Sequence, residues 1–289
     1  MRGWWRDLTD LVLPTECAGC GAPRTPLCAR CRAVLGAASP RRVRPLPEPP
    51  GLPVVHAAAP YGGAVRELLL AHKERGALAL AGVLGAALAD VVRAGLGPAG
   101  PRAWPTVRRR PGTVLLVPVP SARWAVRARG HDPVRRMALA AAGELRRTGT
   151  PARVAAVLRQ RRAVADQSGL DARGRLENLA GALEVAAGGA PLLSGGRLVL
   201  VDDLVTTGAS LAEAARALRE VAVIHRDGAT AVYAAATREG REERRIGARP
   251  EKEQWVHGAP ENAVRNAAGE TLRAAVIAAP RDSFGISRN

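Results

Sequence analysis

Aromatic residues and lysine are both scarce in this sequence. The 289 residues include five Trp, two Tyr and one Phe, and lysine occurs only at Lys73 and Lys252. So few aromatic residues argue against a protein that stacks base after base of a single strand on aromatic side chains. Because arginine is the default cation in this chain, a lysine can mark a position where a compact ammonium group is needed and a planar guanidinium does not fit.

The chain also lacks a long apolar run. Its longest, Ala77–Ala89, has 13 residues, whereas a transmembrane helix needs about 20. The first 15 residues contain Asp7 and Asp10 and no apolar core of the kind found in signal peptides. We therefore expect no membrane span and a cytoplasmic location.

Acidic residues are outnumbered by basic ones, 26 against 43, and the formal net charge is +17. Such a charge favours an anionic partner, such as nucleic acid, a phosphate ester or acidic lipid. Hydrophobic residues make up 47% of the chain, which argues against general disorder. The length is sufficient for one or two domains.

All four cysteines lie in one short stretch with the spacing C-x2-C-x7-C-x2-C. In a reducing compartment, two such pairs predict a metal site, because they can place four thiolates in a tetrahedron around Zn²⁺. Four protein ligands leave no open position for water, so the predicted role of the zinc is structural. A pair of disulfides is the alternative. The residues concerned are Cys17, Cys20, Cys28 and Cys31.

Composition divides the chain into four parts. Residues 36–53 contain six prolines and are predicted to form an extended, semi-rigid linker. Mixed-charge stretches predict a mobile tail that contains one helix, Ala263–Ala278. The predicted parts are a zinc ribbon over residues 1–35, the linker over 36–53, a main domain over 54–239 and the tail over 240–289.

Strands and helices alternate in the predicted main domain. Short apolar runs predict strands over Thr113–Val117, Arg153–Leu158, Arg197–Val201 and Ala229–Ala235. Helical periodicity predicts helices over Tyr61–Lys73, Ala77–Val92, Asp132–Arg147 and Asp171–Gly181, and another that contains Leu211, Ala215 and Leu218. Such alternation predicts an α/β fold with an open parallel sheet.

The most informative segment is Val199–Ser210. A predicted buried strand ends at Asp202 and Asp203, and a turn of small and hydroxyl residues then opens a helix. Ligands of open α/β sheets bind outside the carboxyl ends of the strands, and amides at the start of a helix suit a phosphate. Carboxylates accept hydrogen bonds from sugar hydroxyls and also bind Mg²⁺. The segment therefore predicts a site for a ribose 5-phosphate, with the phosphate held by Thr206, Thr207, Gly208, Ala209 and Ser210.

Two other interpretations of this segment are open. A buried strand that ends in two acids resembles a Walker B element, but the sequence contains no G-x-x-x-x-G-K-[ST] loop to accompany it. Alternatively, Asp202 and Asp203 could cap the helix without any ligand. Two adjacent acids at a strand end are costly without a partner, which favours a binding role.

The segment Val199–Ser210 resembles the phosphoribosyl pyrophosphate (PRPP) motif of type I phosphoribosyltransferases. About twelve consecutive positions agree in character. The resemblance implies that Asp202 and Asp203 hold the ribose hydroxyls and that the turn from Thr206 to Ser210 holds the 5′-phosphate. It also implies that Mg²⁺ accompanies PRPP.

Other features narrow the resemblance to the ComF (ComFC-like) family, in which a four-cysteine zinc ribbon precedes a phosphoribosyltransferase domain. The chain is similar to that family over roughly residues 11–238. It departs at His131-Asp132-Pro133, where the family often has Phe-Asn-Gln, and at Leu183, where an aromatic is usual. The matching features are the cysteines, the helix end at Lys73, the loop Val117–Ser121, the pair Arg129-Gly130 and the stretches Gln167–Leu170 and Arg175–Ala182.

The resemblance also implies roles around a pyrophosphate leaving group. Lys73 and Arg129 would neutralise it, and backbone amides of Val119, Ser121 and Ala122 would bind it. From the residues alone, Lys73 could equally be a solvated cation at a helix end, and the loop could be a plain turn. Residues 54–94 and 153–195 are expected to cover the site as a hood. A dense basic cluster, which could grip pyrophosphate or nucleic acid or be a solvated face, consists of Arg123, Arg127, Arg129, Arg135 and Arg136.

Two functions follow as expectations. The first is binding of PRPP or a ribose 5-phosphate compound with Mg²⁺, with transfer of the phosphoribosyl group and release of pyrophosphate if the protein is an enzyme; Asp202, Asp203, Lys73 and Arg129 would then be catalytic. The second, implied by the resemblance to ComF, is a non-catalytic role in DNA uptake for competence, with single-stranded DNA or a helicase as partner. The sequence identifies no acceptor substrate.

Overall fold

Strands and helices alternate along most of the described chain. The computed structural model describes residues 16–37, 39–97, 112–164, 171–193, 196–221 and 272–285. The strands are β1 (Arg41–Val43), β2 (Val54–Pro60), β3 (Thr113–Pro118), β4 (Ala152–Val154), β5 (Leu158–Gln160), β6 (Leu183–Val185), β7 (Gly196–Leu204) and β8 (Arg273–Ala279). The helices are α1 (Ala29–Gly36), α2 (Gly63–Lys73), α3 (Ala81–Leu96), α4 (Arg123–Arg129), α5 (Pro133–Arg147) and α6 (Ala172–Leu179), followed by α7 over residues 209–221.

Six strands form one mostly parallel sheet in the order β1-β2-β8-β7-β3-β4. The strands from β2 to β4 in this order run parallel, and only β1 pairs antiparallel, with β2. This confirms the predicted α/β class and is compatible with a type I phosphoribosyltransferase-like fold. A separate two-stranded antiparallel sheet consists of β5 and β6.

Alternating side chains of the central strands supply two hydrophobic cores. On one face, residues such as Leu116, Val201 and Ile277 pack with α2, α3 and α5. On the other face, Leu115 and Leu200 pack with α7. Helices on both faces bury the parallel sheet, which explains why its strands are continuous apolar runs.

The connections leave a crevice between β3 and β7. From β3 the chain passes to β4 on one side, and later returns to β7 on the other side of β3. The last β3–β7 pair is Pro118 with Val201, so β7 continues beyond the end of β3. Such a reversal of strand order, at the carboxyl ends of parallel strands, is where open α/β sheets bind ligands.

The C-terminal segment is a central strand and not a helix. The prediction of a helix over Ala263–Ala278 is wrong in its second part, because residues from Arg273 onward form β8, which lies between β2 and β7. Residues 272–285 are therefore not a mobile tail. An alanine-rich apolar run fits a helix by local propensity. Here burial on both faces of the sheet decides the outcome, because residues 274–279 are almost completely buried.

The Pro-rich segment is attached to the main domain and is not a free linker. It begins with β1, and Val43 and Leu52 are buried in the core on the α7 side. The guanidinium of Arg219 donates to the carbonyl oxygen of Gly51. Proline removes amide donors but leaves apolar rings, so the segment packs without forming regular structure.

Several other predictions need correction. The predicted strand Arg153–Leu158 is two strands in different sheets, since the chain bends after β4. Residues 54–94 form β2, α2 and α3 of the main body, so only the region of β5, α6 and β6 is available as a hood. Helix α4 was not predicted. The predicted strand Ala229–Ala235 and the stretch Gln167–Leu170 lie outside the described residues.

One described helix, Leu78–Leu96, has the length and apolar composition to cross a membrane. It comprises a 3₁₀ turn and α3, and 56% of its most apolar window is buried inside the protein. A core helix passes the same test, so the finding is weak evidence for a span.

The position of β8 in the core gives a stability prediction. We expect Ile277→Ala to lower the free energy of unfolding by about 2–5 kcal/mol, because it removes a completely buried side chain between two packed layers. Leu46→Ala, at a side chain that is 81% exposed, is the control and is expected to change it by less than about 0.5 kcal/mol. Urea unfolding measures both. Equal stability of the two variants would contradict the placement of β8.

Candidate functional site

Two adjacent aspartates lie at the carboxyl end of β7. The strand extends past the predicted Arg197–Val201, so Asp202 and Asp203 are part of it, and Asp202 is in register with Val276 of β8. Alternation along the strand places Asp203 on the α2 side of the sheet and Asp202 on the α7 side. Both are nearly buried, with 9% and 7% of their surface exposed. The Asp203 amide donates to Asp202 Oδ1 at 2.8 Å.

A lysine from a distant part of the chain neutralises this acid pair in part. Lys73 is the last residue of α2, and its Nζ lies 2.8 Å from Asp203 Oδ2. The sequence predicts that Lys73 lies near the pyrophosphate leaving group, but it does not predict the contact with Asp203. The contact joins the helix end to the strand end across 130 positions of sequence.

The charged groups in this cluster shift one another's pKa values. Burial holds the pKa of Asp202 well above its usual range, and the neighbouring Asp203 charge adds to this effect. For Lys73, burial alone would lower the pKa, but the charge of Asp203 and the hydrogen bond to it outweigh burial and raise the pKa. Asp202 therefore lies in a position where an arriving cation would be favourable.

Arg129 is the second cation near the acids. Its charge acts on Lys73 by opposing protonation of that lysine, and its Nε lies 3.1 Å from Glu74 Oε2. The Nη1 atom is buried and has no hydrogen-bond partner within the described residues. A buried N–H donor without an acceptor is costly, and an anion would satisfy it.

The turn after β7 contains a left-handed backbone position that requires glycine. Gly208 has a φ of +77°, which favours glycine. A side chain there would also come within about 3 Å of Leu52 and Pro49, so the Pro-rich segment covers this side of the turn. Thr206 is exposed, and Thr207 Oγ1 accepts from the Ala209 amide at 3.4 Å. Ser210, in the first turn of α7, is half-buried.

An arginine from the hood contacts this turn. Arg175 of α6 donates from Nη1 to Thr206 Oγ1 at 3.2 Å, and its Nε is buried without a hydrogen-bond partner in the described chain. Arg175 lies in the stretch Arg175–Ala182 that resembles the family, but the sequence does not predict it as a site residue.

The loop after β3 contradicts one of its predicted pyrophosphate contacts and leaves the others untested. Val119 is wrongly predicted as a pyrophosphate donor, because its amide donates to the Val201 carbonyl at 2.9 Å and the side chain is buried. The physical reason is that the ladder between β3 and β7 continues one residue further than expected. Ser121 is half-buried at the end of this loop, so its predicted role stays a prediction.

A buried ion pair fastens the hood to the site helix. Glu213 of α7 accepts from the Leu183 amide at 2.9 Å and from Arg216 Nε at 2.7 Å. Arg216 also donates to the Leu183 carbonyl at 2.8 Å. Sequence reasoning missed this tether, although a charged pair three residues apart in the mostly apolar first half of a helix is a signal for it.

The predicted basic cluster is exposed except for Arg129. Its other four members lie on α4 and α5 with exposed side chains, and Trp124 on α4 is 60% exposed. An exposed tryptophan thus lies among exposed arginines on these two helices. The exposed members are Arg123, Arg127, Arg135 and Arg136.

The four cysteines form a compact group that could hold a metal ion such as zinc. Their sulfur atoms all lie within 4.8 Å of one another, and those of Cys20 and Cys28 are 3.6 Å apart. Tetrahedral Zn–S bonds of about 2.3 Å separate the sulfurs by about 3.8 Å, so the spacing fits. Burial alone would raise the pKa of Cys17, but backbone hydrogen bonds, above all from Cys28, outweigh it and lower that pKa to about 6.

The cysteine group is packed against the main domain. Cys17, Cys31 and Leu35 share a hydrophobic core with α2 and α3. The group is thus anchored near the helix that carries Lys73, without contributing to the crevice itself.

Comparison with known proteins leaves the family open. No protein-family model matches the chain, and no curated protein matches it.

The hood tether gives a testable prediction. At neutral pH we expect Glu213→Gln to lower the free energy of unfolding by about 1–3 kcal/mol, because it removes a charged partner of Arg216 at a side chain that is 5% exposed. Glu220→Gln is the matched control, since Glu220 also contacts Arg216 but is 60% exposed. Glu220→Gln should lower the free energy of unfolding by less than about 0.5 kcal/mol.

The same pair predicts a pH dependence. Arg216 and the Leu183 amide outweigh burial and lower the pKa of Glu213 below its usual 4.5. The stabilisation is therefore complete above pH 4.5 and is lost as the pH falls through the lower folded-state pKa. Unfolding curves of wild type and Glu213→Gln should converge in that range, and a constant difference would contradict the tether.

Proposed function

We propose that the chain binds PRPP or a related ribose 5-phosphate compound, together with Mg²⁺, in the crevice between β3 and β7. The contact between Lys73 and Asp203 carries this proposal. It brings the cation expected near a diphosphate to within 2.8 Å of an acid expected near a ribose. The two halves of a phosphorylated sugar diphosphate therefore have complementary groups in one place.

Each part of such a ligand has a group of matching chemistry. Asp202 and Asp203 are acceptors for the ribose hydroxyls. The turn from Thr206 to Ser210, at the start of α7, offers amides and hydroxyls to the 5′-phosphate. Lys73 and the unused Nη1 donor of Arg129 suit the diphosphate.

The acid pair also fits Mg²⁺. Carboxylate oxygens together with substrate phosphates are the usual ligands of this ion. Burial and the neighbouring Asp203 charge raise the pKa of Asp202, so a cation bound there would be favourable. Asp202 and Asp203 would hold Mg²⁺, which would neutralise charge on the diphosphate.

If the protein is a transferase, the reaction is a displacement at the anomeric carbon. A nucleophile forms the new bond to that carbon, and the bond to the pyrophosphate oxygen breaks with its electron pair leaving on pyrophosphate. Lys73 and Arg129 would stabilise this leaving charge, and the acids would offset positive charge that develops on the ribose. Together with the cysteine group before the domain, this supports the ComF (ComFC-like) assignment as part of the proposal.

Calorimetry tests the binding site directly. We expect PRPP to bind the wild type only when Mg²⁺ is present, and to bind Asp203→Asn at least about tenfold more weakly, because the variant loses a charged acceptor for the ribose and a counter-charge for Lys73.

Asp90→Asn is the matched control for this experiment. Asp90 lies on α3 and pairs with Arg93, so its loss should leave PRPP binding unchanged. Equal affinity of wild type and Asp203→Asn would refute the site.

A second candidate function is a role in DNA uptake through binding of single-stranded DNA, and it is favoured by the exposed basic surface around Trp124. In the same calorimeter, a short oligonucleotide would bind this surface mainly through phosphates, so its affinity should fall steeply between two salt concentrations. Binding that is indifferent to Asp203→Asn would support a surface separate from the crevice. A helicase partner stays a prediction.

We also propose that the cysteine group holds zinc with a structural role. Metal analysis of the purified protein should give about one zinc per chain, and Cys31→Ser should lower both zinc content and melting temperature, because it removes a buried ligand. Ser39→Ala, outside the group, is the control. A metal-free wild type that melts at the same temperature as the zinc-loaded protein would contradict the proposal.

A further inference from the structure

His131 lies between the ends of the two helices that carry the cations of the proposed diphosphate site. Its Nδ1 is 3.0 Å from the Arg129 carbonyl oxygen and its Nε2 is 3.3 Å from the His72 carbonyl oxygen. A carbonyl oxygen only accepts, and a neutral imidazole carries a single N–H, so the ring donates to one of the two carbonyls at a time. One imidazole thus spans two backbone positions that are far apart in sequence.

Both carbonyls belong to helix C-termini. The last carbonyls of an α-helix have no partner within the helix. At the end of α2, the Glu74 amide donates to the Leu70 and Ala71 carbonyls, and His131 takes the next carbonyl, that of His72. At the end of α4, Gly130 in the left-handed conformation donates to the Val126 carbonyl, and His131 takes that of Arg129.

These two backbone positions fix the two cations. The His72 carbonyl belongs to the peptide bond that leads directly into Lys73, and the Arg129 carbonyl belongs to the arginine itself. Lys73 and Arg129 repel each other, as the effect of Arg129 on the pKa of Lys73 shows. The ion pair between Arg129 and Glu74 joins the two helix ends through side chains, and the contacts of His131 join them through the backbone.

A second histidine reinforces the junction from the opposite direction. His72 is 1% exposed, and its Nε2 lies 3.2 Å from the Pro133 carbonyl at the start of α5. The two imidazole rings lie 6.1 Å apart, centre to centre. Because the side chain of His72 holds the segment after His131, and His131 holds the backbone of His72, the junction is closed on both sides.

We propose that His131 is a positioning residue that holds Lys73 and Arg129 at the spacing needed to bind a diphosphate. It acts through the backbone of both residues and does not itself contact the ligand. This inference rests on the proposed function, since it presupposes a diphosphate subsite at Lys73 and Arg129. It assigns a role to a position where the sequence departs from the family that it resembles.

The test separates the diphosphate from the sugar phosphate. Inorganic pyrophosphate with Mg²⁺ and ribose 5-phosphate are titrated separately into wild type, His131→Gln and His131→Ala. Glutamine keeps one amide donor and alanine keeps none. We expect pyrophosphate to bind about fivefold more weakly to His131→Ala, the loss that corresponds to one ordinary hydrogen bond, and to bind His131→Gln, which keeps a donor, with an intermediate affinity. Ribose 5-phosphate should bind all three proteins within about twofold.

His56→Gln is the control, because His56 lies in β2 against Gly95 of α3 and outside the crevice; it should bind both probes like the wild type. Should His131→Ala fail to fold, His131→Phe, which keeps a ring but has no donor, replaces it. Unchanged pyrophosphate affinity in the variant without a donor, or equal losses for both probes, would overturn the positioning role. A wild type that binds ribose 5-phosphate but not pyrophosphate would also overturn it, whereas a wild type that binds neither probe would instead refute the proposed function.

Discussion

The candidate site depends on two aspartates that the sheet holds in a nearly buried position. Asp202 and Asp203 continue the apolar strand β7 past the end of β3, where they have little water to solvate them. Two carboxylates this close are unfavourable unless positive charge reaches them. In the described structure Lys73 contacts Asp203 directly, and its charge also acts on Asp202. Burial and the Asp203 charge nevertheless keep the pKa of Asp202 raised, and a bound Mg²⁺ would offset the remaining negative charge.

The two acids are held in place by helix ends, by irregular segments and by side-chain contacts. Helices α2 and α4 end at Lys73 and Arg129, and His131 joins their last turns. On the opposite side, the Pro-rich segment packs on Gly208, while the pair of Glu213 and Arg216 fastens the hood to α7. The crevice is thus bordered by elements from four separate parts of the chain.

Local sequence patterns predicted those features that depend on interactions between residues close together in sequence. The strands β3 and β7, the helix α5, the four cysteines and the acid pair are all encoded within a few neighbouring residues. The position of β8 depends instead on pairing with β2 and β7, which are far away in sequence, and its alanines fit a helix equally well. The attachment of the Pro-rich segment and the loss of the Val119 amide to Val201 likewise depend on tertiary contacts that no local pattern contains.

The central claim is that the turn after Asp203 receives a phosphate. Hydrogen–deuterium exchange of the wild type, measured with and without ribose 5-phosphate and Mg²⁺, tests it at the amides themselves. The account predicts slower exchange across residues 206–210, with no change in peptides from α3, which lies on the other face of the sheet. Unchanged exchange in the turn at a saturating ligand concentration, or protection confined to other segments, would contradict it.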